Sequence, residues 1–224
     1  MQIVVDTHSV GRYTVCMQMI PLKERAILRG YTWWRRWQRT HMLGFSDAFQ
    51  HTERLLICLP VDQEEARRAV MVVPDLIACF HASAVTVAGL PASTAVCETL
   101  TPPVRVVTIG PEDRRWSGLP STDLVARITG DGLNAAIDLN PNLDILTAAL
   151  CLQSGAPLRM CFQGGQRDLF FNVQIAISFE TPADKSDHTS ESTRSETPQT
   201  TPYTRFLNTI RGMMGKSAEE ELTG

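Results

Sequence analysis

The chain has 224 residues, 43% of them hydrophobic and 20% charged, with a formal net charge of -3 at pH 7. That length holds one ordinary domain with extensions, or two small ones, and the composition is that of a globular protein. The slight acidity argues against nucleic acid as the main partner, because phosphate binders carry a basic excess. No apolar run is long enough to cross a bilayer, and the first residues lack the basic start, apolar stretch and small-residue cleavage site of a secretory signal.

Residues 1–18 are mildly apolar without a clear period and read as a short strand or an arm. Residues 20–45 form a distinct block. Lys23, Arg25, Arg29, Arg35, Arg36 and Arg39 stand against the single acid Glu24, and Trp33, Trp34 and Trp37 are three of the protein's four tryptophans. A basic helix with a tryptophan-rich side suits an anionic membrane surface, since indole favours the headgroup level and arginine favours anionic lipid. The alternative is a helix that packs Trp33 and Trp37 on the domain and leaves its arginines in water.

The compact domain is expected from about His51. Arg54–Leu59 reads as a buried strand. Asp62 is placed to cap a helix, with Glu65 three residues later completing a reciprocal pattern, and that helix runs to Phe80 with a kink at Pro74. Val85–Ala88 and Val104–Ile109 are the next strands. Gly110–Trp116 is a polar loop in which Arg114, Arg115 and Trp116 can meet a phosphorylated or sugar ligand, and Ser121 or Thr122 caps a helix through Ile128. A strand over Ala135–Leu139 stops at Asn140-Pro141-Asn142. Asn142 can cap the next helix, Ser154-Gly155 ends it, and Leu158–Phe162 and a segment reaching Ile177 supply further strands. Short strands alternating with helices signal an open α/β sheet, and a helix joining two buried strands implies parallel pairing.

After Ile177 the composition changes. Residues 181–202 are Thr, Ser, Pro, Asp and Glu with almost nothing apolar, and read as a disordered linker. Residues 203–216 restore helical spacing through Phe206, Leu207, Ile210 and Met214, so a tethered amphipathic helix is expected to dock on its own domain, a protein partner or a membrane, with Phe206 and Ile210 in contact. Residues 217–224 are an acidic tail. Cysteines 16, 58, 79, 97, 151 and 161 include no Cys-x-x-Cys pair. A metal site is therefore not expected, and free, buried thiols point to a reducing compartment.

Residues 53–178 resemble the N-terminal, acceptor-side half of the ADP-heptose:lipopolysaccharide heptosyltransferases, glycosyltransferase family 9. Three stretches carry the likeness: Val73–Val87, Leu133–Leu139 and Ala148–Phe162, the last holding Ser154-Gly155-Ala156, Arg159 and Phe162. The resemblance implies a single Rossmann-like, three-layer open parallel sheet over residues 51–180, flanked by the N-terminal amphipathic helix and the tethered C-terminal helix. It also implies a glycan or lipid-linked acceptor and a place in envelope glycan assembly, cytoplasmic and peripheral at the inner face of the membrane. The chain departs from the family in two respects. The loop Leu59–Glu65 lacks the family's Gly-Asp pair, leaving Asp62 as the candidate catalytic base, and no donor-binding half follows.

Nucleotide chemistry finds little support. Asp62, Glu64 and Glu65 open the first helix and would repel a pyrophosphate, and no glycine fingerprint stands there, so no cofactor is expected. Asp62 and Asp138 belong at carboxyl ends of strands, where open α/β sheets bind ligands, with Asn140, Arg159 and Arg115 as further ligand contacts. Asp138 and Asn140 have the competing role of satisfying backbone groups in their turn. Three functions follow: a non-catalytic accessory protein that kept the acceptor-side fold, a transferase completed by a partner subunit, and a protein-interaction scaffold acting through its terminal helices.

Overall fold

A computed structural model describes residues 3–5, 22–35, 52–100, 104–130, 132–177 and 201–221. The strands are β1 (Ile3–Val5), β2 (Arg54–Cys58), β3 (Ala84–Gly89), β4 (Val104–Thr108), β5 (Ala135–Asp138), β6 (Leu158–Phe162) and β7 (Val173–Ile175). The helices are α1 (Leu22–Arg35), α2 (Gln63–Val70), α3 (Val73–Phe80), α4 (Pro91–Thr94), α5 (Thr122–Thr129), α6 (Ile145–Gln153) and α7 (Pro202–Glu221). His51, Arg36, Trp37 and most of the expected linker lie outside the described residues, as do the side chains of Trp33, Trp34 and Arg35.

All strands join one parallel sheet in the order β1-β7-β6-β5-β2-β3-β4. The expected α/β open sheet is present. From β4 to β7 the order is that of the doubly wound, Rossmann-like fold, whose two halves grow outward from the central pair β2 and β5. The register places Cys58 beside Asp138 and Asp138 beside Cys161. Leu55, Leu56, Ile57 and Cys58 are all fully buried, which explains why β2 reads as an unbroken apolar run: helices cover both of its faces.

One face carries α2, α3 and α7. Leu55, Ile57, Ile137, Met160 and Phe162 of the sheet pack there against Val73, Leu76, Phe80, Tyr203, Phe206 and Ile210. The other face carries α1, α5 and α6, where Leu56, Cys58, Ala136 and Cys161 meet Leu28, Leu124, Leu146, Leu150 and Phe170.

Several local expectations are corrected. Residues 62–80 form two helices rather than one kinked helix. The break falls at Met71–Val72, and Pro74 sits in the first turn of α3, where its missing N–H costs no hydrogen bond. Asp62 does cap α2, accepting from Glu65 N at 2.9 Å. The Glu65 carboxylate, however, is engaged elsewhere, accepting from Arg68 at 2.8 Å and from the Tyr203 hydroxyl at 2.8 Å. The cap of α6 is Asp144, which accepts from Thr147 N at 2.9 Å, and not Asn142.

The C-terminal helix docks on its own domain, one of the three places expected for it. It spans Pro202–Glu221, longer than 203–216, and is part of the domain core. Phe206 and Ile210, expected to meet a membrane or partner, are fully buried against the chain's own sheet. Phe162 lies 4.8 Å from Phe206 and 5.7 Å from Tyr203 between ring centroids. The physical reason is the winding of the fold. The α6 crossover covers the second half of the sheet on one face only, and the stripe Tyr203, Phe206, Leu207 and Ile210 closes the other. Toward its far end Arg211 pairs with Asp75 at 3.4 Å. On the opposite face α1 also docks on the domain. Leu28 is buried, and Tyr31 packs edge-on against Phe170 at 5.0 Å and accepts from Gln153 at 3.0 Å.

Candidate functional site

In an open doubly wound sheet, ligands bind outside the carboxyl ends of the two central strands, where the chain leaves to opposite faces. Here those strands are β2, leading to α2, and β5, leading to α6. The crevice between them is laced shut by side chains. Asn140, directly after β5, accepts from Val61 N at 2.9 Å through Oδ1 and donates through Nδ2 to Leu59 O at 3.2 Å. Its Nδ2 also donates to Asp138 Oδ1 at 2.6 Å and lies 3.1 Å from Thr147 Oγ1. The Thr147 hydroxyl donates to Asp138 Oδ2 at 3.2 Å, and Asn140 N to Asp138 Oδ1 at 3.1 Å.

From the loop after β6, Arg167 donates to Asn140 O at 3.0 Å and to Phe162 O at 3.1 Å. Asp138, Asn140, Thr147 and Arg167 are each at most 3% exposed. On the β2 side the Ser93 hydroxyl donates to Pro60 O. Gly89 permits that close approach, because a Cβ there would stand 3.2 Å from Leu59 Cβ and 3.3 Å from Ser93 Cβ.

The electrostatics follow from burial. Desolvation pushes the Asp138 pKa up to about 6; the Arg167 guanidinium and the Asn140 hydrogen bonds pull the other way. Three thiols lie near this carboxyl. Cys58 and Cys151 stand 3.7 Å apart between sulfurs. For Cys58 that contact lowers the pKa, yet burial and the charges of Asp138 and Asp144 leave it raised. For Cys151 the same contact and burial raise it strongly. Burial also pushes Cys161 far up. Such thiols are poor nucleophiles, since the thiolate is the reactive form. Among the described residues no group of histidine, cysteine and carboxylate side chains is arranged to hold a metal ion.

The expected site residues separate into distinct places. Asp138 and Asn140 are together at the switch point, buried and bonded to each other. Asp62 stands at the carboxyl end of β2 as expected, exposed, with its carboxylate on the α2 backbone. Arg159 is not with them: it is the second residue of β6, and its guanidinium donates to Ala156 O at 2.7 Å and Phe170 O at 2.8 Å, tying down the turn before that strand. Arg115 is exposed in the loop after β4, beside Trp116, which is 93% exposed. Arg167, Thr147 and Ser93 complete the switch-point network, and sequence reasoning passed over them. Arg167 sits in the polar stretch Gln163–Asp168, where nothing marks one charged residue as buried.

Comparison with family models, with curated proteins and with solved structures finds no match for this chain. Among the described residues no helix is long and apolar enough to cross a membrane.

Proposed function

We propose that the protein is a non-catalytic accessory domain of envelope glycan assembly, a relative of the acceptor-side half of glycosyltransferase family 9. The observation that carries the non-catalytic part is the closed switch point. A carboxylate that is fully buried and held by Asn140 and Thr147 has no path to an external substrate. A general base needs hydrogen-bond reach to the proton it removes. The carbohydrate part rests on the resemblance of residues 53–178 and on the doubly wound strand order.

A second reading draws on one observation: Asp62 is exposed at the carboxyl end of β2, where a partner subunit carrying a donor site would find a free carboxylate edge. Calorimetric titration with lipopolysaccharide core oligosaccharide, paired with a sugar-nucleotide turnover assay, separates the two. Oligosaccharide binding without turnover, unchanged in Asp62→Ala, is the expected result. Turnover that depends on Asp62 would establish the transferase reading, and absence of glycan binding would remove carbohydrate from the account.

A further inference from the structure

The sheet ends at β4, which pairs with β3 alone among the described strands. Among the described residues nothing pairs with its outer row of main-chain N–H and C=O groups, and proteins usually guard such an edge because it templates pairing with another chain. Here it is thinly covered. Arg105, Val106 and Thr108 are exposed and only Val107 is buried; Val106 alone is 41% exposed, unusual for an apolar strand residue in a covered sheet.

The loop that leaves the carboxyl end of β4 is built rigidly. Asp113 is buried, accepts from Gly110 N at 2.9 Å and pairs with Arg127 at 2.8 Å. Arg115 N donates to Leu119 O, Gly118 N to Arg115 O and Ser121 N to Asp113 O, within a bridge between Arg114 and Pro120. The turn so fixed displays Trp116 to solvent. Arg105, Arg114 and Arg115 are all exposed, and among the described residues none has a carboxylate within ion-pair distance, in contrast to Arg67, Arg68, Arg127 and Arg211. A local excess of guanidinium groups on a chain of net charge -3 asks for an anionic partner.

We propose that the β4 edge and the Arg114–Trp116 loop form a docking surface for an extended, acidic segment of a partner protein. The open ladder decides for a peptide over other anions. Alternating donors and acceptors at strand spacing are matched by another peptide backbone and not by a phosphate chain or a lipid headgroup. Carboxylates on alternate residues of the added strand meet the unpaired guanidinium groups, and tryptophan and arginine are both enriched among residues that dominate binding energy. This surface lies at the sheet edge, two strands out from β2, and the proposal is independent of any affinity for carbohydrate.

The test uses the full chain and a short fluorescein-labelled peptide of alternating valine and glutamate, followed by anisotropy. Controls are the same peptide with lysine for glutamate and with alternate backbone nitrogens methylated. Trp116→Ala and Arg105→Glu lie on the surface, and an unchanged thermal midpoint confirms that each variant is folded. The expected result is saturable binding weakened about tenfold or more by either variant and by N-methylation, lost with the lysine peptide. No binding of the valine–glutamate peptide overturns the proposal, as does equal binding of the lysine or N-methylated peptides. Trp116-dependent binding of phosphatidylglycerol vesicles or oligothymidylate in place of the peptide overturns it as well, by making the surface a general anion contact.

Discussion

Asp138 and Arg167 are brought into one buried network by the sheet from positions apart in the chain: Arg167 bonds the carbonyls of Asn140 and Phe162, and its charge acts on the Asp138 carboxyl without an ion-pair contact. Removing Arg167 leaves two buried carbonyls without their donor and takes away the positive charge that favours the ionised Asp138. Arg167→Ala is expected to cost about 2–4 kcal/mol, read from urea denaturation. The acid has a pH signature of definite sign. Its pKa is about 6 in the folded protein against an ordinary carboxyl value of 3.8, so between those values the fold holds a proton that the unfolded chain has released. The stability linked to this group is fully present below the unfolded value and is lost as the pH rises through 6, by roughly 3 kcal/mol in all. Asp138→Asn should flatten that part of the stability–pH curve; a slope unchanged between pH 4 and 7 would sink the assignment. Asp62 is a different kind of aspartate. Its carboxylate caps α2 in water, and Asp62→Ala is expected to lower stability by about 1 kcal/mol, seen as a small drop in thermal midpoint.

At the level of elements, the legible features were those whose cause is local. The unbroken apolar runs of β2 and β5 announced burial on both faces, and Asp62, Ser121 and Gly155 marked helix ends by side-chain chemistry and by a positive φ of 72° at Gly155. Capping fixes only a neighbourhood. Asn142 and Asp144 are both competent caps two positions apart, and the packing of Ile145 and Leu146 against the sheet selects the second. The stripe of α7 was equally visible, but an amphipathic stripe does not name what it covers. Phe162, its aromatic counterpart, lies on the far side of the linker in sequence. Phe206→Ala is expected to destabilise the protein by about 3–5 kcal/mol. Deleting residues 201–224 should expose the face around Phe162, Met160 and Ile137 and abolish cooperative unfolding, which near-ultraviolet circular dichroism and dye binding would detect.

Across the whole molecule the open parallel sheet followed from the alternation of strands and helices, whereas its strand order and the closed switch point did not. Closure depends on Arg167 reaching Asn140 over 27 positions and on Ser93 reaching Pro60 over 33, contacts that no periodicity encodes. The same architecture buries Cys58, Cys151 and Cys161 completely. A disulfide-exchange reagent added to native protein should therefore leave these thiols unmodified over minutes and react with all of them at once in denaturant. Rapid labelling of Cys58 in the native state would contradict the tight packing between β2 and α6.

That α7 completes a core whose strands all precede it has a consequence for synthesis. On the ribosome the strands emerge first, and the surface around Phe162 stays bare until residues 202–221 clear the exit tunnel. Up to that moment the nascent chain presents a parallel sheet bare over part of one face, the kind of intermediate on which aggregation and chaperone capture act. Translation of the intervening hydrophilic stretch thus sets a waiting time during which this protein depends on its cellular surroundings to stay out of trouble.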